Sequence, residues 1–257
     1  MVRGLYTAYT GMINEQKRLD VISNNLANSA TVGFKEENMT NKAFDEVLAI
    51  KIRDGSEAYT DRAIGTMSLG VELGEIYTNF KQGSMRQTEN TYDLAIEGKG
   101  FFAVNMVDRD GNETTRYTRN GSFKLTQEGY VVDEDGNHLL SSGSPLQIPV
   151  NATNVAIEKD GSVFADGELI DKIELVDFED YNYLKKYGDN MYEPVEGAAA
   201  IPTYGRIMQG YTEQSNVNVV SEMVEMITIS RAYEANQKAI RTIDGMLDKS
   251  VNQIGKV

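Results

Sequence analysis

The stretch VVSEMVEMITISRAYEANQKAIRTIDGMLDKSVNQI, residues 219–254, decides the fold, because apolar residues recur in it every seven positions. The repeated positions are Val219, Met226, Tyr233, Ile240, Leu247 and Ile254. A partner series is mixed and holds Met223, Ser230, Gln237, Asp244 and Val251. A seven-residue apolar repeat is typical of a long helix that packs along another helix. We therefore expect a helix from about residue 217 onward, capped by Asn216 or Asn218.

A second heptad pattern lies near the start of the chain, from about residue 5 to residue 28. Its apolar positions are Leu5, Ala8, Met12, Leu19, Ile22 and Leu26, with Glu15 as the polar exception. A helix of this length would reach about 36 Å. It should end within Ser23-Asn24-Asn25-Leu26-Ala27-Asn28, because asparagine is a poor residue for a helix interior and Gly33 follows soon after.

The segment between the helical patterns is predicted to be β-rich. Short apolar or alternating runs from about Asp93 to Leu140 are separated by pairs such as Asn120-Gly121 and Asp135-Gly136, which are strong hairpin signals. Asp166-Gly167 continues the pattern toward a strand in the 170s. The sequence thus predicts an α+β fold, in which N- and C-terminal heptad helices pair as a coiled-coil-like domain beside a central antiparallel β domain.

The predicted domain boundaries follow these changes in pattern. Residues 1–35 form the N-terminal helical segment, residues 91–207 the β-rich domain, and residues 208–257 the C-terminal helical segment. Residues 36–90 are predicted to be an extended linker with a hairpin and a short helix at about Lys42–Ile52.

Self-assembly is expected from this arrangement of helices. Both helices join the same β domain, so they can pair antiparallel. Two-helix units are marginal in water, and two helices alone cannot cover apolar stripes of this width. We therefore expect the outer helix faces to pack against other copies of the chain. Head-to-tail contacts of that kind give rings or open helical filaments.

Composition and motifs exclude several classes of function. The formal net charge of −14 argues against nucleic acid and anionic membranes as partners. The absence of cysteine rules out disulfides and thiolate sites. His138 has no obvious catalytic or metal-binding partner, and the acidic turns at 108–111 and 133–136 lack the rest of a calcium loop. We expect no catalytic residue, cofactor, metal site or small-molecule substrate.

The first residues, Met1-Val2-Arg3-Gly4-Leu5-Tyr6, lack the apolar core of a cleaved signal peptide. No run approaches the roughly 18 apolar residues of a membrane span. If the protein leaves the cell, we expect a route that reads no ordinary signal.

Four ordered motifs resemble the family of flagellar rod, hook and hook-associated proteins. The N-terminal one is Ser23-Asn24-Asn25-Leu26-Ala27-Asn28 followed by Gly33-Phe34, and the C-terminal one joins Ser215-Asn216-Val217 to residues 231–236. The segments Asp93–Phe102 and Tyr117–Phe123 are similar to the β domain that the family shares. The resemblance spans essentially the whole chain.

The resemblance implies a subunit of the flagellar basal body. The terminal helices would form the inner tube of a helical assembly, the heptad residues named above would be its interface, and the β domain would form the outer layer. Implied partners are other copies, other rod proteins, the hook and the flagellar type III export apparatus. The resemblance also implies that the subunit helps to form a hollow drive shaft that transmits torque to the hook.

The position within the rod has two readings. Chain length, the segment 209–219 and the full-size β domain resemble the distal rod protein. A linker at 54–74 that is shorter and less proline-rich than expected keeps the proximal rod as an alternative. An alternative from another class is an adhesin or phage-tail-like module with a closed helical bundle.

Overall fold

The computed structural model describes residues 2–51, 62–107 and 113–254. They form an α+β fold with two compact units. The helical unit comprises Met1–Leu26, Glu37–Thr78 and Asn218–Val257, and the β unit comprises Ala27–Glu36 and Asn79–Val217. Within the described ranges, no helix has the length and apolar character needed to cross a membrane.

Two long helices dominate the helical unit, α1 at Val2–Ala27 and α2 at Val219–Lys249, with a π-helical turn at Ser250–Ile254. The α1 helix ends inside the predicted asparagine-rich run. Asn218 caps α2 as the sequence predicts, since its side-chain Oδ1 accepts hydrogen bonds from the backbone N–H groups of Val220 and Ser221 at 3.1 and 3.3 Å.

Two pairs of antiparallel strands complete the helical unit. The strands are β1 Glu37–Ala43, β2 Val47–Lys51, β3 Arg62–Met67 and β4 Val71–Thr78. The β1 strand pairs with β4, and β2 pairs with β3. The short helix predicted for residues 42–52 is therefore wrong where the chain is described, and residue 52 lies outside that part. Val47 and Ile50 are β-branched, which favours a strand. Pairing with β3 gives hydrogen-bond partners to backbone N–H and C=O groups of β2, whereas a short helix would leave about half of these groups without partners.

The α1 and α2 helices run antiparallel. Arg18 forms an ion pair with Glu225, and Asn25 Nδ2 lies 3.4 Å from Glu222 Oε2. At the other end, a methyl group added to Gly4 would lie 3.6 Å from Cδ1 of Ile243. Residue numbers therefore fall along one helix as they rise along the other. Packing of the pair as a coiled coil stays a prediction.

The β unit is built from short antiparallel strands. Its strands are β5 Met85–Gln87, β6 Leu94–Glu97, β7 Phe101–Val107, β8 Glu113–Thr118, β9 Lys124–Leu125, β10 Val131–Val132, β11 His138–Ser141, β12 Ser144–Pro145, β13 Val155–Ile157, β14 Ser162–Ala165, β15 Glu168–Lys172, β16 Leu175–Phe178, β17 Leu184–Tyr187, β18 Met191–Pro194, β19 Ala200–Pro202, β20 Arg206–Gln209 and β21 Tyr211–Glu213. A 3-10 turn at Tyr181–Tyr183 precedes β17.

A ten-stranded sheet forms the centre of the β unit, in the order β17-β18-β8-β7-β11-β10-β9, with β12, β16 and β19 joined at its sides. The β13, β14 and β15 strands form a second sheet, and β5 and β6 pair with β21 and β20. Phe102, Phe123 and Val163 are fully buried in the main core, and Phe101 and Tyr192 belong to a second cluster. This unit has the hydrophobic core of an independently folded domain.

The predicted turn pairs have different outcomes. Asp166-Gly167 connects β14 to β15 with positive φ values of 51° and 92°, as the type I′ signal predicts. Asn120-Gly121 is not a hairpin turn, which corrects the prediction. Gly121 instead lies directly against Leu94, whose N–H donates to the Gly121 carbonyl at 2.9 Å. The glycine is required there because a Cβ would lie 1.5 Å from the Leu94 carbonyl oxygen.

Candidate assembly surface

The helical unit buries very little apolar surface of its own. In the described residues, the buried hydrophobic side chains outside the β unit are Ile22 and Ile229. Many large apolar side chains of the helical unit are exposed, among them Leu73, Ile76 and Val224. An apolar surface of this extent without a core is typical of an interface that another chain covers.

The heptad residues predicted on α1 lie on its inner face. Ile22 is buried, and the remaining five are half-buried: Leu5, Ala8, Met12, Leu19 and Leu26. This face also carries Gly4 and Gly11, which lie against Ile243 and Asn236 of α2. The structure therefore brings the predicted α1 residues together beside α2.

The heptad residues predicted on α2 divide into two groups. The half-buried ones are Val219, Met226, Tyr233, Ile240 and Leu247. Met223 and Val251 are exposed, and the side chain of Ile254 lies outside the described residues.

A second series on α2 faces inward and lies one residue before the predicted partner series. It runs through Glu222, Ile229, Asn236 and Ile243, of which Glu222 and Ile229 are buried. The sequence contained a signal for this series, since two of its four members are isoleucine. Glu222 and Asn236 hid that signal because polar residues are not expected on an inner face.

Two exposed apolar stripes lie on the outer faces of the helices. The α2 stripe consists of Val220, Met223, Val224 and Ile227, with exposed fractions between 48% and 72%. The α1 stripe consists of Tyr6, Tyr9 and Ile13, with exposed fractions between 39% and 60%. Residues three, four and seven apart lie on one face of a helix, so each stripe is continuous.

The contact between the two helices is partly polar. Among the described side chains of α1 and α2, the buried ones are Asn14, Ile22, Asn25, Glu222 and Ile229. Asn14 Oδ1 is buried without a hydrogen-bond partner among the described residues. The helix pair therefore places polar groups inside and apolar stripes outside, the reverse of an ordinary amphipathic helix pair.

The N-terminal family motif fixes the end of α1. Asn25 is buried, donates from Nδ2 to the Glu37 carbonyl oxygen at 2.8 Å, and accepts from the Glu37 N–H at 3.0 Å. This two-bond pairing resembles that of an antiparallel strand and ties α1 to the start of β1. Of its neighbours in the motif, Ser23, Asn24 and Ala27 are exposed. The rest of the run is half-buried: Leu26 and Asn28.

Gly33 and Phe34 belong to the β unit. Gly33 has a φ of 71°, and a Cβ there would lie 2.5 Å from the backbone of Arg119. Phe34 is fully buried, with Nζ of Lys186 4.5 Å from the centre of its ring. These two motif residues are therefore fixed by local packing.

A buried charge cluster follows the motif in the β unit. Lys35 Nζ lies 2.5 Å from Glu213 Oε1, and Arg119 Nη1 lies 3.2 Å from Glu213 Oε2. Lys35 also donates to the Lys81 carbonyl oxygen at 2.9 Å, and the Gly83 N–H donates to Glu213. Burial lowers the pKa of the Lys35 ammonium, although the neighbouring Glu213 carboxylate opposes this effect.

The C-terminal motif is also held by hydrogen bonds. Asn216 accepts from the Glu36 N–H at 2.8 Å and donates to the carbonyl oxygens of Asn79 and Lys81 at 2.7 and 3.1 Å. Ser215 Oγ accepts from the Val217 N–H at 3.3 Å. The motif residues that the structure fixes are thus structural ties within each unit, whereas the outer helix faces remain open for contact with another chain. Across the described ranges, His, Asp and Glu side chains do not gather in a group that could hold a metal ion.

Three family models match the chain in order. Residues 5–35 match flagella basal body rod protein, residues 95–165 match the D1 domain of flagellar hook protein FlgE/F/G, and residues 208–254 match the C-terminal region of the flagellar basal body rod FlgEFG protein. These segments contain both terminal motifs, the first strands of the central sheet and the whole of α2.

Relatives that match the chain over nearly its whole length are also named as flagellar basal-body rod proteins. Flagellar basal-body rod protein FlgG of Caulobacter vibrioides is 38% identical over 96% of this chain and 97% of its own length. FlgG of Bacillus subtilis is 36% identical over 98% and 99% of the two chains. Flagellar basal-body rod protein FlgF of Caulobacter vibrioides is 34% identical over both whole chains. This chain belongs to the family of flagellar basal-body rod proteins, the structural subunits of the basal-body rod.

Proposed function

We propose that the chain is a subunit of the distal rod, which polymerises helically into a hollow shaft that carries torque from the motor to the hook. The observation that carries this proposal is the helical unit, which exposes apolar stripes and buries only Ile22 and Ile229 among its described hydrophobic side chains. Copies of the chain can supply the missing contacts. Each fully buried large apolar side chain would contribute about 1.5–3 kcal/mol, and the repeated contacts would make a stiff tube.

The distal position rests on two kinds of support. The segment 209–219 and the full-size β unit resemble the distal member of the family, and relatives named FlgG match nearly the whole chain. In this assembly α1 and α2 pair as a coiled coil in the inner wall, and the β unit lies outside. The neighbours are other rod proteins and the hook.

Export through the flagellar type III apparatus is part of the same proposal. Among the described hydrophobic side chains of the helical unit, Ile22 and Ile229 are the buried ones, so this part of the chain has little core to unfold before passage through a narrow channel, which suits export of an extended chain.

Electron microscopy of basal bodies from cells that lack this protein tests the function. We expect cells without hook and filament that retain a short rod stub, and restoration of both by the wild-type gene. Normal hooks and filaments on swimming cells would refute the proposal.

A proximal rod position is the second candidate, because the FlgF relative matches the whole chain at 34% identity. The length of the remaining stub separates the two, since loss of a proximal subunit leaves a shorter stub. The adhesin or tail-like alternative has no support in the comparisons, which match flagellar proteins in all three segments.

A further inference from the structure

The two exposed apolar stripes lie at opposite ends of the helix pair. The α2 stripe is beside the last turns of α1, because Glu222 and Glu225 next to it contact Asn25 and Arg18. Ile13, the residue of the α1 stripe nearest to these contacts, lies five residues before Arg18 and twelve before Asn25, which is about 8 Å and about 18 Å along the helix axis. Tyr6 and Tyr9 lie farther away. The stripes of one copy therefore cannot cover each other.

The stripes match in spacing. Tyr6, Tyr9 and Ile13 follow steps of three and four residues, and Val220, Met223 and Ile227 follow the same steps. Val224 fills the gap in the second set. Matching rows of apolar residues can interdigitate along two helices, in the way that ridges pack into grooves.

From these two relationships we propose that the α2 stripe of one copy packs against the α1 stripe of the next copy along the axis of the assembly. The inference rests on the proposed polymerisation and names the surfaces that carry it. A shift along the helix axis preserves direction, so the two contacting helices of neighbouring copies run antiparallel, as α1 and α2 do within one copy. Tyr6 then lies near Ile227, and Ile13 lies near Val220.

The partner is a second copy because the contact joins two different patches at opposite ends of one unit. Such a head-to-tail contact repeats from copy to copy and yields a filament when each copy is shifted along the axis, whereas a patch that packs on itself closes a dimer. The partly polar contact inside each helix pair supports the same conclusion, since the apolar stripes are directed away from it.

The size of the contact explains why it would act only within a polymer. Seven side chains that are about half exposed present on the order of 600 Å², below the roughly 1,200 Å² of a stable protein pair. One such contact is too weak to hold two free chains together. In a tube, each copy has several neighbours, and the contacts reinforce one another.

Engineered cysteines test the pairing directly, because the natural chain contains none. Tyr9→Cys and Val224→Cys are placed in one chain, which replaces the natural protein in cells, and purified basal bodies are oxidised. Within one copy the two positions are too far apart for a disulfide. We expect a ladder of covalent oligomers from the double variant and no cross-link from either single variant. Tyr9→Cys with Leu169→Cys, an exposed residue of the β unit, is the matched control and should remain monomeric.

Each other result has a definite meaning. Dimers from Val224→Cys alone would show that the stripe packs on its own counterpart and would overturn the inference. Basal bodies that contain the chain but give no ladder would overturn it too, while leaving the rod function intact. Absence of the wild-type chain from basal bodies would instead refute the proposed function. If the first double variant does not assemble, Ile13→Cys with Val220→Cys tests the same antiparallel register.

Discussion

Lys35 and Glu213, which are 178 residues apart in the sequence, form an ion pair of 2.5 Å with both side chains about 1% exposed. Arg119 contacts the second oxygen of the same carboxylate. The pair links the segment after the N-terminal motif to β21, the last strand of the β unit. It is buried on both sides, so water cannot replace either partner.

Glu213→Gln should destabilise the β unit by about 3–5 kcal/mol, because Lys35 and Arg119 would stay buried without a carboxylate. Urea unfolding of the full chain, followed by tyrosine fluorescence, measures the loss. The matched control is Lys172→Gln, which breaks an exposed pair with Asp160 at 3.9 Å and should change stability little. Equal midpoints for the two variants would contradict the role assigned to the buried cluster.

Tyr181 should make stability fall at high pH. Desolvation, assisted by the hydrogen bond from its hydroxyl to Asp177 at 2.8 Å, raises the pKa of Tyr181 to about 12 from 10.0. The folded state then holds a proton that the unfolded state releases, so the stabilising contribution is complete below pH 10 and is lost as the pH rises toward 12.

The measurement is thermal unfolding between pH 8 and pH 12. Tyr181→Phe should flatten the decline above pH 10, because no ionisable group remains at that position. Tyr183→Phe, at an exposed neighbouring position, should keep the wild-type slope. Parallel curves for Tyr181→Phe and the wild type would argue against this assignment.

The free chain should show low helicity. Burial of only Ile22 and Ile229 among the described apolar side chains of the helical unit leaves little to hold α1 and α2 in water. Circular dichroism and limited proteolysis are the measurements, and we expect cleavage in both helices beside a resistant β unit. A chain truncated after Val217 should keep that resistant unit and lose assembly. High helicity in the free chain would favour a closed bundle instead.

Assembly should strengthen as salt concentration rises. The net charge of −14 makes free copies repel one another, and salt shortens the range of that repulsion to about 8 Å at physiological ionic strength. Light scattering at 50 mM and 300 mM sodium chloride measures the effect. Stronger polymerisation at the lower concentration would mean that attractive ion pairs dominate the contact.

Gly121→Ala should destabilise the β unit by about 3 kcal/mol or more, because the new methyl group would meet the Leu94 carbonyl oxygen and force β6 away. Gly245→Ala is the opposite case, since that helical glycine has open space around it and alanine favours a helix by about 1 kcal/mol. Thermal unfolding of both variants compares them. A Gly121→Ala protein with the wild-type midpoint would show that the strands can move apart without cost.

Heptad spacing was sufficient to predict both helices, and the residue pairs typical of hairpin turns predicted part of the β unit. The same reasoning failed at residues 42–51, where strand pairing with β3 and β4 overrides a local helical preference. It did not single out Glu222 and Asn236, which are polar and still lie on the inner face of α2. No local pattern could join Lys35 to Glu213, since only the folded β unit brings them together.

The helical unit is made from segments that are far apart in the sequence, so its two helices are synthesised at different times. About 190 residues separate the end of α1 from the start of α2. In a chain that emerges from the ribosome N-terminus first, α1 therefore has no α2 to pair with until the whole β unit has been made. Competence to join a growing rod is thereby delayed until synthesis reaches α2, so an unfinished copy cannot occupy a place in the shaft.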